Sequence, residues 1–344
     1  MADKLAGRKW EDMELDVLVK IFKLLNLTEL SPVSLVCRSW LLACSDPLIW
    51  NTFDLGLLKS NFIKTRVSPY VWVDGRSDAR LTRVLRVAMG LSRGNVTCLV
   101  FHFNLYMKDS HLSIIAERAL ANKDGNQRAQ LCEVLVEGLS WCPHLKRLVL
   151  PAWNYITKPG ICEAIRRWED LESLTMPGIG HPPYIMEAIS RSCKNFSELK
   201  IMGQFDILFA SAIAYNLPKL KVLSLRCTML FREALLYILE NFESLEVLNI
   251  SHCMLVDVCP SLDPKKTITQ MDHTIIEKAS RLREFIYCCE VPCILCERTI
   301  ADEGLMRWYK YETGLWREDE VRSLSLGDYG KLLDDSCIQI VDRT

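Results

Sequence analysis

The hexapeptide Leu145-Lys146-Arg147-Leu148-Val149-Leu150 returns in apolar outline four more times along this chain. The copies are Leu171-x₂-Leu174-x-Met176, Phe196-x₂-Leu199-x-Ile201, Leu220-x₂-Leu223-x-Leu225 and Leu245-x₂-Leu248-x-Ile250. Their first residues lie 26, 25, 24 and 25 positions apart. Weaker copies stand outside them at Val96-x₂-Leu99-x-Phe101, Leu282-x₂-Phe285-x-Tyr287 and Trp50-x₂-Phe53-x-Leu55. Self-similarity at a fixed period of this size marks a solenoid. Side chains of a strand alternate between faces, so each copy reads as a short strand with its apolar residues inward. No copy can bury that edge alone, and neighbours must stack to share one core.

The spacing L-x-x-L-x-L at this period is that of a leucine-rich repeat. A period near 25 leaves room for a full helix on the outer side. The expectation is therefore an α/β horseshoe with curved parallel strands inside and helices outside. Helical spacing follows the strands, as in Ile161, Ile165 and Trp168, and in Leu235, Ile238, Leu239 and Phe242. Pro159-Gly160 and Pro182-Pro183 punctuate the turns before helices. Just past its strand this repeat sets Asn or Cys to cap the turn. Asn104 and Cys253 stand there and Thr228 and Gln204 can substitute, whereas Trp153 and Ile179 predict irregular turns.

Residues alternating with the buried leucines should line the concave face: Val100, His102, Arg147, Val149, Thr175, Lys200, Met202, Ser224, Arg226, Asn249 and Ser251. Mixed in charge and partly apolar, they suit a protein target better than a phosphate group. They form the expected substrate-binding set.

Three gaps break the period. Trp50 to Val96 spans 46 residues, close to two periods, and predicts an atypical repeat after a first strand at Phe53-Leu55. Ser77-Asp78 can cap a helix there that carries Leu81, Val84, Leu85 and Ala88 and ends near Gly90 to Gly94. Val96 to Leu145 spans 49 residues without a midway motif, so 119–141 reads as an insert within one repeat, with Leu131, Val134, Leu135 and Leu139 at helical spacing. Leu245 to Leu282 spans 37, and the surplus at 258–272 reads as an exposed loop.

Apolar residues make up 49% and charged residues 25%, the balance of a globular protein. A formal net charge of −1 offers no global field for nucleic acid or an anionic membrane. Met1 to Glu14 lacks an apolar leader segment and no apolar run reaches about 18 residues, so neither secretion nor membrane spanning is expected. Fifteen cysteines, several at repeat-core positions (Cys142, Cys162, Cys193, Cys227), read as reduced, buried small hydrophobes of the nucleus or cytoplasm.

Ahead of the repeats the texture changes. Val17, Leu18, Ile21, Phe22 and Leu25 follow helical spacing up to a break at Asn26-Leu27-Thr28. A second helix is expected from Ser31 as N-cap and Pro32 as first residue, carrying Leu35, Val36, Trp40 and Leu41 as far as Asp46-Pro47. Three short helices with apolar faces, in about 40 residues, are expected to make a small core that gains stability from burying an apolar face on a partner.

Trp10-Glu11-Asp12-Met13-Glu14-Leu15, Leu35-Val36-Cys37-Arg38-Ser39-Trp40 and Asp46-Pro47-Leu48-Ile49-Trp50 together resemble an F-box. Met13-Glu14 stands where that family has Leu-Pro. With the repeats, the chain from about Trp10 to Trp316 is similar to plant F-box/leucine-rich-repeat substrate receptors of SCF ubiquitin ligases. The resemblance implies an F-box over 8–52, about seven repeats over 53–290, and a C-terminal cap and tail over 291–344. It implies docking on a Skp-type adaptor through Met13, Leu18, Ile21, Phe22, Leu25, Leu30, Val36 and Trp40. The adaptor would lead to cullin and a RING protein, and the repeats would hold a target protein for ubiquitination.

No motif of direct chemistry accompanies this. P-loop, nucleophile elbow and H-E-x-x-H are all lacking, and the six histidines are scattered, with His144 and His252 flanking strands as polar neighbours of the core. The expectation is a non-enzyme without cofactor. Cys288-Cys289-x₃-Cys293-x₂-Cys296 contains one zinc-like pair, but four ligands would call on Cys259 or His273, and the spacing fits no standard pattern. No metal is assigned. Trp308, Tyr309, Tyr311 and Trp316 lie among cancelling charges and read as a cap on the last repeat, with the final dozen residues loose. Two other readings stay open: an interaction scaffold whose head only caps the solenoid, and a small-molecule sensor holding an inositol polyphosphate. Arg147, Lys200 and Arg226 alone equip the concave face for the latter.

Overall fold

The computed structural model describes residue 10 and residues 13–55, 75–101, 107–116, 142–151, 154–177, 182–257, 266–268, 271–288, 293–304 and 338–342. His102, Asn104, Trp153, Ile179, Cys259, Cys289, the 119–141 insert and the aromatic segment 308–316 lie outside them.

The head is a set of short helices: α1 (Leu15–Phe22), α2 (Leu27–Val33), α3 (Arg38–Cys44) and α4 (Pro47–Trp50). The second helix does not start at Ser31-Pro32. Asn26 starts it instead, its side chain accepting from Glu29 N–H at 3.1 Å while the Glu29 carboxylate accepts from Asn26 N–H at 2.9 Å. This reciprocal pair satisfies two backbone donors, which a proline start cannot match. Pro32 falls inside the last turn of α2, and the apolar run beyond it belongs to a turn and then to α3. Asp46 caps α4 through Leu48 N–H, with Pro47 at the first helical position.

Leu18, Val19 and Phe22 of α1 face inward. The Trp40 ring meets Phe22 edge-on at 5.3 Å and Trp10 at 6.5 Å. Trp50 is buried and its indole N–H donates to the Cys44 carbonyl at 2.6 Å.

The solenoid strands that concern the site are β1 (Thr52–Asp54), β2 (Cys98–Val100), β4 (Arg147–Val149), β6 (Ser173–Pro177), β7 (Glu198–Met202), β9 (Val222–Ser224), β11 (Val247–Asn249), β14 (Glu284–Cys288) and β15 (Ile338–Asp342). They form one sheet in that order, parallel as far as β14. The register aligns Phe53, Leu99, Leu148, Leu174, Leu199, Leu223, Leu248 and Phe285 in a single buried row. That row is the middle apolar position of every copy of the repeat, the weak ones included. Strand β1 pairs directly with β2, so no other strand of this sheet comes between them.

Outer helices complete the layers: α5 (Gly75–Ser92), α6 (Asp109–Ala116), α7 (Lys158–Ile165), α8 (Pro182–Ser192), α9 (Ile207–Asn216), α10 (Arg232–Asn241) and α11 (His273–Ala279). Helix α5 begins at Gly75, ahead of the expected Ser77-Asp78 cap, and buries Leu81, Leu85, Ala88 and Met89. Between strands and helices, short strands β8 (Gln204–Phe205), β10 (Met229–Phe231), β12 (Met254–Asp257) and β13 (Lys266–Thr267) make a second small sheet, and β3 (Met107–Lys108) pairs in parallel with β5 (Asn154–Tyr155). Part of the surplus at 258–272 thus pairs antiparallel on β12. Cys253 fills its expected turn position, donating to the Leu225 carbonyl at 2.9 Å and lying 3.4 Å from Thr228 Oγ1.

At the far end α12 (Ile294–Ala301) follows β14. Five of the last dozen residues depart from the expectation of a loose tail. Ile338–Asp342 closes the sheet as β15, antiparallel on all five residues of β14, because an open edge offers unpaired N–H and C=O groups to any extended segment.

Candidate adaptor face and solenoid surface

Helix α1 is apolar on two sides. Its inner side holds Leu18, Val19 and Phe22; its outer side leaves Leu15, Val17 and Ile21 exposed, with Leu24 in the following turn 85% exposed. Val17, Ile21 and Leu24 lie at i, i+4 and i+7, one stripe of a helix. A second exposed apolar stretch follows α2 at Leu35 and Val36, the latter 59% exposed, and Leu42 and Leu48 add to it on α3 and α4.

The expected adaptor set divides on this geometry. Ile21 and Val36 present surface. Met13, Leu25 and Trp40 are half-buried against the chain's own core. Leu18, Phe22 and Leu30 are buried within the head and have no surface to offer a partner. The correction has a simple cause: in a helix whose apolar residues exceed one face, spacing alone does not say which face turns inward. Leu15, Val17, Leu24, Leu35, Leu42 and Leu48 are exposed residues outside the expected set.

The inner face of the solenoid also differs from expectation. Val100, Val149, Thr175, Lys200, Met202, Ser224, Arg226, Asn249 and Ser251 are all buried, and Arg147 is half-buried. Alternation fixes which side of the strand a residue takes, but not whether that side is left exposed; for these residues it is not. Parallel pairing brings Thr175, Lys200, Ser224 and Asn249 into one row and Ser173, Glu198 and Val222 into the next. Lys200 Nζ lies 3.1 Å from Glu198 Oε1, and both side chains are 4% exposed. The Asn249 side chain accepts from Ser251 N–H at 2.9 Å and holds the turn. Of the cations expected on this face, Lys200 is paired with Glu198 and Arg226 is buried.

Exposed aromatic and aliphatic side chains of the solenoid lie on the outer helices. Tyr184 on α8 is half exposed, while Leu208 and Tyr215 on α9 are 72% and 88% exposed, seven residues apart on one stripe. Between α7 and α8 a groove of about 440 Å³ is lined by Lys158, Cys162, Arg166, Tyr184, Glu187 and Arg191, with Lys158 Nζ 2.8 Å from the Tyr184 ring centroid. Among the described residues no helix is long and apolar enough to cross a membrane.

A compact helical head running without interruption into a solenoid of parallel strands defines a class, an F-box joined to leucine-rich repeats. Residues 15–56 match the F-box-like family. The chain is 48% identical over 322 residues to F-box/LRR-repeat protein At3g48880 of Arabidopsis thaliana, covering 93% of this chain and 97% of that one. It is also similar to Putative F-box protein At4g11580 (24% identity, 92% and 96% covered) and to F-box protein SKIP1 (24%, 56% and 55%), both of Arabidopsis thaliana. This chain belongs to the F-box/LRR-repeat proteins.

Proposed function

We propose that this chain is the substrate-recognition subunit of an SCF-type ubiquitin ligase, working in the nucleus or cytoplasm. The observation that carries the reading is the outer side of the head. Val17, Ile21, Leu24, Leu35 and Val36 stay exposed on a unit whose inner residues are fully packed. Exposed apolar stretches of this kind mark protein interaction sites. In this reading they dock on a Skp-type adaptor, which leads to cullin, a RING protein and a ubiquitin-charged conjugating enzyme. The transferred thioester sits on that enzyme, and this chain supplies binding and geometry. Holding a target raises its effective concentration at the charged enzyme without any chemistry in the receptor.

The target falls to the solenoid. Since Lys200, Ser224, Arg226 and Asn249 of the inner face are buried, the outer stripe of Leu208 and Tyr215 is the part of the solenoid we assign to target contact.

Co-expression of the full chain with a Skp-type adaptor tests the proposal. The expected result is a stoichiometric complex that Ile21→Asp with Val36→Asp abolishes while the thermal unfolding of the chain is retained. Leu208→Glu with Tyr215→Glu should leave that complex intact and remove proteasome-sensitive neighbours in proximity labelling. A well-folded chain that never captures the adaptor would instead favour the interaction scaffold.

A further inference from the structure

His252, Cys288, Cys293 and Cys296 come together at the end of the solenoid, their nitrogen and sulfur atoms all within 4.8 Å of one another. His252 Nδ1 lies 3.3 Å from Cys293 Sγ and 3.6 Å from Cys296 Sγ. A tetrahedral zinc with bonds of about 2.3 Å to sulfur and about 2.0 Å to nitrogen sets its N and S ligands roughly 3.6 Å apart, and its sulfurs roughly 3.8 Å apart. The two distances from His252 match the first figure, and all four ligand atoms lie close enough to surround one ion. From these distances we infer that the four residues form a structural zinc site of the Cys₃His kind.

Each ligand is placed by a different piece of the fold. Cys288 is the last residue of β14, Cys293 is the N-cap of α12, and Cys296 lies in its first turn. His252 comes from the turn after β11, with φ +56°, a backbone conformation uncommon outside glycine. Cys227 takes the same conformation, φ +59°, at the equivalent turn one repeat earlier. The repeat therefore aims this position inward, and His252 is fully buried. A polar ring at such a place costs free energy unless it is coordinated or hydrogen-bonded. Three thiols around one imidazole supply soft ligands that select zinc over magnesium or calcium.

The site would tie two neighbouring repeats to the helix that ends the described solenoid. A terminal repeat has no further neighbour to bury its open side and needs a cap. A closed four-ligand site contributes folding energy directly, since it exists only when all four residues meet. The fourth ligand in this cluster is His252 and not His273, while Cys259 lies outside the described residues. The imidazole that completes the set is 36 positions upstream of Cys288 and is delivered by the stacking of repeats.

Elemental analysis of the full chain, purified with its adaptor under reducing conditions from zinc-containing medium, provides the test. The expected result is one zinc per chain, lost in Cys288→Ser and in Cys296→Ser and kept in Cys162→Ser. Should the serine variants fail to fold, wild-type protein stripped of metal and refilled with Co²⁺ decides the question by its spectrum. Intense visible bands with sulfur-to-cobalt charge transfer in the near ultraviolet support the site. Substoichiometric zinc with an octahedral cobalt spectrum overturns it. So does an intact mass lower by two hydrogens with a peptide cross-linking two of these cysteines.

Discussion

The Trp50 indole meets the Phe53 ring edge-on, with centroids 5.9 Å apart and planes at 61°. Trp50 belongs to the last helix of the head and Phe53 to the first strand of the solenoid, so the two parts share one buried core. In the proposed role, such a joint would hold the target at a fixed place relative to the adaptor. Trp50→Ala removes the ring and the 2.6 Å bond to the Cys44 carbonyl. The expected loss is about 3–5 kcal/mol. Calorimetry should show a single transition moved to lower temperature; separate melting of head and solenoid would contradict the shared core.

Leu18 and Ile21 lie one turn apart on α1 but should respond differently. Leu18→Asp buries an unpaired charge, and several kcal/mol of stability should be lost. Ile21→Asp alters a 38% exposed position and should change stability by no more than about 0.5 kcal/mol. Paired chemical denaturation and adaptor pull-down separate a folding defect in the first from a binding defect in the second.

Asp109 fastens α6 to the start of α7. Thr157 donates to it twice, through its backbone N–H at 2.7 Å and its hydroxyl at 2.6 Å, and accepts from Gly160 N–H at 3.2 Å. A Cβ on Gly160 would come within 2.2 Å of that carboxylate, which its two bonds hold in place. Gly160→Ala should therefore destabilise by about 1–3 kcal/mol. In Asp109→Ala the same substitution should cost far less. A double-mutant cycle reads the difference, and additive effects would refute the steric account.

Asp272 caps α11 through Thr274 N–H at 2.9 Å and pairs with Arg232 of α10. The Arg232 guanidinium and then the cap hold its carboxyl below the usual aspartate range. A depressed folded-state pKa means that its contribution is present above the unfolded value of about 3.9 and is lost as pH falls through the folded value. Thermal unfolding followed from pH 6 down to pH 3 should fall less steeply in Asp272→Asn, which keeps a capping oxygen but no charge.

Burial pushes the thiols of Cys44, Cys142 and Cys193 up to about 12 and that of Cys253 up to about 11. Since the thiolate is the nucleophile, native protein at pH 8 should leave these four unmodified by iodoacetamide while half-buried Cys37 reacts. Peptide mapping before and after denaturation checks this; early labelling of Cys142 or Cys193 would mean that the outer helices open.

The row from Phe53 to Phe285 was legible because a period near 25 repeats the same burial problem at every strand. Helices α7 and α10 were legible for the same reason, with Ile161, Ile165, Leu235 and Ile238 buried at the expected spacing. Other features depend on what lies beyond local pattern. Asn26-Leu27-Thr28 reads as a break in the helical spacing, yet Asn26 with Glu29 forms the capping box that starts α2. The alternation that assigned Lys200 and Asn249 to the inner face holds no information about their exposure. His252 meets Cys293 only because β11 and β14 are neighbours, a relation between distant segments that no local spacing displays.

Hydrogen exchange of the full chain with and without a Skp-type adaptor tests the docking reading most directly. Exchange should slow on binding in α1, through Val17 and Ile21 to Leu24, and across Leu35 to Leu42, with the strand row from Leu148 to Leu248 unchanged. An adaptor that binds while residues 15–42 exchange as before would contradict it.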